Sequence, residues 1–431
     1  MNPVLLAFEH EIIAVSAIPG PHSLGLEECE RLAAIGELYP GFCQRGHQKV
    51  RLAQYCGVVS LGGRVLEVAP KLGKGKRGEL AGRSLLLRML QTVYELPRLA
   101  GSAGQTLEQA PLIDAVASIF FDELLRLVKA GLHRAYASEC DNLQTIKGRL
   151  LIGEHVARNS GRMDRALCEF DELTADVGPN RVLVLALKMV RPWLSQTESQ
   201  RRWTELMAAF EGIGPASLHE VKGIRLNRQT SRYRDALRFA QWIIDMLSPA
   251  LRGGSEEAPA MLFDMNVLFE SYVASCLTSQ APPGIEVLPQ HNAMHLARTS
   301  GKSAYRLKPD IVVTRGREVV LVADTKWKLL EEDRFGRIRP TPADMYQMNA
   351  YASAYRCHEM ALIYPSFSEL KTQLLQHPTS YVLPAGAGTV SLHITAVDLM
   401  ADRLRVGGGS VGATLDKLLR NEDQEGNGQI A

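Results

Sequence analysis

The sequence predicts a multidomain protein, α+β up to about residue 250 and α/β beyond it, and three observations carry that class. A glycine pair between short apolar runs near residue 60 marks antiparallel strands. Apolar residues at spacings of three and four mark helices in stretches between residues 85 and 247. After residue 260 the pattern runs helix, strands, helix, strand. With 431 residues, 46% hydrophobic and 22% charged, the chain is long and apolar enough for two or three cores.

Taken in order, residues 1–105 read as a β-rich N-terminal domain. Its clearest piece is the stretch 56–70, in which Gly62-Gly63 separates two apolar runs as a hairpin turn would. A basic Gly/Lys loop at 73–78 follows. Leu85, Leu86, Leu87, Met89, Leu90, Val93 and Leu96 then form an apolar stretch that Pro97 closes. Residues 106–250 read as a helical region. Phe120, Phe121, Leu124, Leu125, Leu127, Val128 and Leu132 predict one helix, and further helices are expected over about 180–193 and 232–247. Residues 251–259 combine Gly, Ser, Pro and charge without apolar period, which marks a linker. The α/β domain is expected over 260–405, opened by an amphipathic helix at 261–273 with Leu262, Met265, Phe269, Tyr272 and Val273 inward. Residues 406–431 read as a flexible tail.

Composition excludes several classes. Lys plus Arg number 49 against 47 Asp plus Glu, so the chain is not a uniformly basic nucleic-acid-coating protein. The seven cysteines are scattered and form no C-x-x-C pair, which argues against a disulfide framework or zinc ribbon and fits a reducing cytoplasm. The amino terminus lacks a basic leader and meets Glu9 and Glu11 early, unlike a signal peptide. No apolar run approaches the roughly 20 residues that span a bilayer, so no membrane role is expected. No G-x-x-x-x-G-K-[ST] string occurs, so nucleotide hydrolysis would have to come from a partner.

The informative segment is 305–328. Apolar runs at 311–313 and 319–323 flank a polar turn containing Gly316, the signature of a hairpin. A turn centred there puts Asp310 opposite Val322, with Asp324 as its diagonal neighbour. Alternation then places Val320, Val322, Asp324 and Lys326 on one face, which Asp310 can share. Two carboxylates and a lysine so placed suit phosphodiester hydrolysis, which needs a hard divalent cation to hold the scissile phosphate and acidify a water. Asp310 and Asp324 are the expected Mg²⁺ ligands, with the Thr325 carbonyl as a third. Lys326 would orient the water and offset developing negative charge. The spacing is the PD…(D/E)-x-K pattern of a large nuclease superfamily, so 260–405 is expected to be a restriction-endonuclease-like PD-(D/E)xK domain. Thr341-Pro342-Ala-Asp344 predicts a helix start. On that helix Gln347 and Tyr351 share a face, the Q-x-x-x-Y motif of the RecB-like branch of those nucleases. Glu270 is either a further metal-reaching acid or a solvated glutamate.

Beyond the superfamily pattern the chain resembles the McrC family, the nuclease subunits of McrBC-type, modification-dependent restriction systems. The strings that carry the likeness are 57–71, 142–150, 168–174 with Asn180-Arg181, 262–270, Leu307-Lys-Pro-Asp310, Asp324-Thr-Lys326 and Tyr346-Gln-Met-Asn-Ala-Tyr351, in that order. Trp327 departs slightly, standing where another aromatic is frequent, and the likeness ends near Arg405. The resemblance implies an N-terminal region that docks on a McrB-like AAA+ GTPase hexamer. It also implies a nuclease domain acting in that assembly on double-stranded DNA, methylated DNA included, while stimulating GTP hydrolysis.

An adaptor that organises the ring GTPase without cutting DNA stands as the alternative, because the region before residue 250 carries no nuclease motif. Two basic stretches, Lys71 to Arg98 and Lys222 to Arg238, are candidates for DNA phosphates, for an acidic partner face or for plain solvation. His291 and His295 lack a Cys or acid to complete a zinc set. The acids Glu169, Asp171 and Glu172 lack the pattern of a calcium loop.

Overall fold

The computed structural model describes residues 3–72, 76–97, 110–162, 164–247, 260–299, 302–328, 339–366, 379–385, 388–399 and 405–406. The linker at 251–259, residues 73–75 of the Gly/Lys loop and the tail beyond 406 lie outside the described residues. Among the described residues no helix is long and apolar enough to cross a membrane.

The hairpin expected at 56–70 is present. Tyr55–Ser60 and Val65–Ala69 pair antiparallel, with Gly57 opposite Val68 and Ser60 opposite Val65. The Leu61 N–H donates to the Arg64 carbonyl at 2.9 Å to close the turn, where Gly62 takes φ +90°. Val4–Phe8 adds in parallel to Val65–Ala69, and Ala260–Asp264 adds antiparallel to Tyr55–Ser60. The first sheet is therefore completed by a strand from beyond the linker.

That strand corrects the helix expected at 261–273. Asp264 is an N-cap whose carboxylate accepts the Asn266 N–H at 2.9 Å, so the helix is Met265–Gln280, and Met261 and Leu262 are buried sheet residues. A short apolar run buried on both faces has no period that separates strand from helix. Gly57 makes the pairing sterically feasible: its φ is +137°, and a Cβ there would stand 2.0 Å from the Met261 carbonyl oxygen.

Helices Lys76–Val93, Leu112–Lys129, Gly178–Val190, Arg234–Leu247 and Met265–Gln280 share one apolar cluster. Rings run through it from Phe120 to Phe239 at 5.5 Å, on to Trp242 at 5.8 Å, and to Phe263 stacked at 6.3 Å. Glu67 ties the first sheet to the helices, pairing with Arg83 and accepting the Leu112 N–H at 3.1 Å. The region expected to be helical also contains strands. Ala135–Leu143, Arg149–Leu150 and Ala166–Thr174 form an antiparallel sheet that stands largely in solvent. Its first strand, AYASECDNL, is polar on both faces, so no two-residue apolar alternation marks it.

The last sheet runs in the order Ile285–Pro289, Ile311–Arg315, Glu318–Thr325, Glu359–Ser366, Gly388–Asp398, Thr379–Ala385, with Arg405–Val406 also pairing Gly388–Asp398. Glu318–Thr325, Glu359–Ser366 and Gly388–Asp398 are parallel. The first parallel connection is made by helix Pro342–Tyr355, as such crossovers require. Met348, Tyr351, Ala352 and Tyr355 of that helix pack on one sheet face with Val312, Val322 and Leu362. Ile311, Val313, Leu321 and Ala323 face the other side, into the cluster containing Met265–Gln280. The central strands Ile311–Arg315, Glu318–Thr325 and Glu359–Ser366 are thus covered on both faces, as their apolar runs require.

Candidate active site

The hairpin Ile311–Arg315/Glu318–Thr325 turns at Gly316, φ +61°, as the sequence predicts, but its register differs by a bulge between Val313 and Thr314. Thr314 pairs with Val319, whereas Val313 pairs with Leu321 and Ile311 with Ala323. The extra residue, Val320, therefore packs toward the cluster opposite Val322 instead of sharing its face. Continuing the register puts Asp310 opposite Asp324 itself, closer than the diagonal relation expected.

Asp324 is 1% exposed at the end of Glu318–Thr325, and Lys326 is held in line because its N–H donates to the Ile363 carbonyl at 2.9 Å. One Asp324 oxygen, Oδ2, meets the Lys326 ammonium as an ion pair but accepts no directed hydrogen bond among the described residues. The other, Oδ1, accepts from Gln347 Nε2 at 3.1 Å. Gln347 Oε1 in turn accepts from Lys326 Nζ at 3.2 Å, so one amide bridges both members of the D-x-K pair. Gln347 Nε2 also donates to Tyr351 Oη at 2.8 Å, and that hydroxyl donates to the Lys308 carbonyl at 2.9 Å, just before Pro309-Asp310. Asp310 Oδ2 accepts both the N–H and the hydroxyl of Thr325, at 2.6 and 2.7 Å. Asp310, Asp324, Thr325, Lys326, Gln347 and Tyr351 are thus one connected group.

The helix that delivers Gln347 and Tyr351 starts where its sequence signals. The Thr341 hydroxyl accepts the Asp344 N–H at 3.3 Å, the Asp344 carboxylate accepts the Thr341 N–H at 3.2 Å, and Pro342 occupies the first turn. Gln347 and Tyr351, four apart, meet on one face.

The carboxyls are crowded beyond what Lys326 neutralises. Burial and the neighbouring Asp310 charge push the Asp324 carboxyl up to about 6, against the opposing pull of Lys326. Burial also raises Asp310, against its two Thr325 hydrogen bonds and Lys326. Glu270, on helix Met265–Gln280, is pushed up to about 7, by burial first and then by Asp310, with a smaller push from Asp324 and a hydrogen bond to Gln290 opposing. The donors are all oxygens and their repulsion is uncompensated, conditions a hard divalent cation relieves. Among the described residues no three His, Cys, Asp or Glu side chains form a ready-made metal cage, so a cation held here would take its remaining ligands from water.

Asp344, Lys328, Trp327 and Glu9 have no site role in the sequence reading. Asp344, read only as a cap, also pairs with Lys328 at 2.7 Å and lies 4.0 Å from Lys326; the two-residue alternation of Lys326 and Lys328 was the available signal. Trp327 Nε1 donates to Glu9 Oε2 at 2.8 Å in a buried contact, and its ring meets Phe269 at 5.4 Å, one residue before Glu270. Nothing local links Glu9 to Trp327, since 318 positions separate them. His291 and His295 form no metal set; His291 Nδ1 lies 2.9 Å from Tyr355 Oη.

Comparison with known proteins bears on this arrangement. The chain is similar in fold to a chain of the refined half-complex from a tetradecameric assembly of Thermococcus gammatolerans McrB AAA+ hexamers with bound McrC. The TM-score is 0.69 at 18% identity, covering 97% of this chain and 99% of that one. A cryo-EM structure of the Thermococcus gammatolerans McrBC complex matches at a TM-score of 0.47 and 19% identity, covering 64% of this chain and 88% of that one. No curated protein matches. The model of the McrBC 5-methylcytosine restriction system component family matches residues 50–365, which include Glu270, Asp310, Asp324, Thr325, Lys326, Gln347 and Tyr351. The chain belongs to the family of McrBC 5-methylcytosine restriction system components.

Proposed function

We propose that this chain is a Mg²⁺-dependent endodeoxyribonuclease with a C-terminal PD-(D/E)xK domain, acting on double-stranded DNA in assembly with a McrB-like AAA+ GTPase hexamer. The observation that carries the reading is the single Gln347 amide bonded at once to Asp324, Lys326 and Tyr351. A structural glutamine needs no such set of partners, whereas a site that must hold a lysine beside a metal-binding carboxylate does.

Asp310 and Asp324, with the Thr325 carbonyl, would hold the cation, and Glu270 would reach it through a bound water. When bound, Mg²⁺ would polarise the scissile phosphate and lower the pKa of an attacking water. Lys326 Nζ, fixed between Asp324 and Gln347, orients that water and offers charge to the developing phosphorane oxygens. Gln347 keeps the ammonium and carboxylate in mutual register, and Tyr351 anchors Gln347 to the backbone at Lys308. Thr325 holds Asp310 through two hydrogen bonds, so the carboxylate does not swing as charge builds.

The chain lacks a phosphate-cradling P-loop, so GTP hydrolysis falls to the partner, and the cysteine pattern fits a cytoplasmic setting. Residues 1–105 form the first docking surface for that partner. The sheet Ala135–Leu143/Ala166–Thr174 and its adjoining helix add a second surface, with Tyr136, Ile146, Ile152, Val156 and Leu173 exposed. That surface is what favours the adaptor reading, in which the chain only activates the ring. Plasmid, Mg²⁺ and GTP given to the purified assembly separate the two. The nuclease reading expects cleavage that Lys326→Ala abolishes while GTP turnover persists. Turnover without any cleavage by the wild type supports the adaptor.

A further inference from the structure

Immediately upstream of Asp310 stands a two-stranded ribbon, His295–Thr299 paired with Lys302–Arg306, that belongs to no larger sheet. Residues 295–308 include Arg298, Lys302, Arg306 and Lys308 and contain no Asp or Glu. All four cations are exposed, and among the described residues none has an acidic partner. Several arginines of the basic stretches noted in the sequence are different, although Lys222, Arg225, Arg228 and Arg234 are exposed like those of the ribbon. Arg83 pairs with buried Glu67, Arg88 donates to the Leu399 carbonyl, Arg232 to the Ala130 and Gly131 carbonyls, and Arg238 to Glu95. Those arginines serve the fold; the ribbon's cations serve nothing internal.

A lone two-stranded ribbon is marginal in water, so something must hold this one. It is fixed at its root. Leu307 is buried and its N–H donates to the Met294 carbonyl at 2.9 Å. Tyr355 Oη donates to the His291 carbonyl at 3.3 Å, and Tyr351 Oη donates to the Lys308 carbonyl at 2.9 Å. The helix that organises the active site therefore also holds the ribbon.

Register sorts its side chains. His295 pairs with Arg306, Ala297 with Ala304 and Thr299 with Lys302, so one face carries Lys302 and Arg306 separated by two alanines. Four residues at about 3.3 Å each put these cations roughly 13 Å apart, near the ~12 Å width of the DNA major groove, which admits a two-stranded ribbon. The alanines between them let the backbone approach. Arg298 lies on the opposite face with Leu296 and Ser303.

We propose that the ribbon is a duplex-DNA clamp, in which Lys302, Arg306 and Arg298 bind backbone phosphates and seat the scissile strand over Asp310 and Asp324. The proposal rests on the nuclease reading for its orientation, but its test does not. Binding of a fluorescein-labelled 30-bp duplex to the full chain is measured by anisotropy in EDTA, across a salt series, so that no cleavage occurs. Neutralising Arg298, Lys302 and Arg306 to Gln is expected to weaken binding at least tenfold. It should also reduce the slope of log K against log salt by about two to three, close to one unit per lost phosphate contact. Arg51→Gln, an exposed cation on another sheet, should leave the slope unchanged.

A wild type that binds no duplex, or a triple variant with wild-type affinity and slope, overturns the proposal. So does a triple variant that keeps its DNA binding but loses association with the GTPase ring, since the ribbon would then serve an acidic protein face. If the slope falls as expected while the assembly cuts no plasmid in Mg²⁺, the clamp stands and the nuclease reading fails. If plasmid is cut and the slope is unaltered, the reverse holds.

Discussion

Removing the indole N–H of Trp327 tests whether the N-terminal domain helps position Lys326. Glu9 is 5% exposed; its Oε2 accepts from Trp327 at 2.8 Å and its Oε1 from the Lys71 N–H at 3.0 Å. Trp327→Phe keeps a ring against Phe269 but withdraws one donor from a buried carboxyl. A hydrogen bond to a charged group is worth about 1.5–3 kcal/mol, and the smaller ring adds about 1 kcal/mol of lost packing. The expected destabilisation is about 2–4 kcal/mol. Glu9→Gln should cost about 1–3 kcal/mol, and the double variant should fall short of the sum by about 1 kcal/mol or more, because one interaction joins the two.

Burial raises the Glu9 carboxyl despite its bond to Trp327. A raised acid binds its proton more tightly when folded, so its contribution falls as pH climbs above the usual glutamate range. Glu9→Gln should accordingly cost more at pH 5 than at pH 8. Chemical denaturation followed by Trp fluorescence and circular dichroism gives the stabilities, and plasmid cleavage by the assembly gives the second readout. Because Trp327 follows Lys326 directly, Trp327→Phe should slow cleavage on the order of tenfold to a hundredfold. Additive stabilities together with wild-type cleavage would refute the coupling.

Further outcomes follow from the same geometry. Gly57→Ala places a Cβ 2.0 Å from the Met261 carbonyl, and should cost more than about 3 kcal/mol, read as loss of soluble protein or of amide protection in Ala260–Asp264. Thr341→Ala removes the cap of Pro342–Tyr355 and should cost about 1 kcal/mol, with faster exchange of that helix's first amides. Tyr351→Phe deletes the bond to Lys308 and the acceptor for Gln347; it should lower cleavage while leaving the melting temperature within a few degrees of wild type. Because Glu270 is pushed up to about 7 and Asp324 to about 6, the metal-free protein should lose stability from pH 5.5 to 8. Mg²⁺ should raise the melting temperature more at pH 8 than at pH 5.5, since binding competes with protons; an equal rise at both pH values would contradict the assignment.

The sequence made the site more legible than the fold around it. Asp310, Asp324, Lys326, Gln347 and Tyr351 were readable because a hairpin and a capped helix are local objects with fixed periods. The bulge at Val320 was not, since an extra residue in a run of valines leaves no mark; together with the two-residue turn at Gly316-Arg317 it moved the partner of Asp310 from Val322 to Asp324. The strand Ala260–Asp264 read as helix because a doubly buried run lacks period, and its partner lies on the other side of the linker. The polar strand at 135–143 gave no apolar signal, while the Glu9–Trp327 bond joins residues that only the folded chain brings together.

The central claim is met most directly by Asp324→Asn in the assembled complex with supercoiled plasmid, Mg²⁺ and GTP. The substitution is nearly isosteric and can still accept from Gln347, so the fold and GTP turnover should persist. Wild type should linearise the plasmid, and the variant should be slower by on the order of a hundredfold to a thousandfold. Cleavage at the wild-type rate by Asp324→Asn would contradict the account.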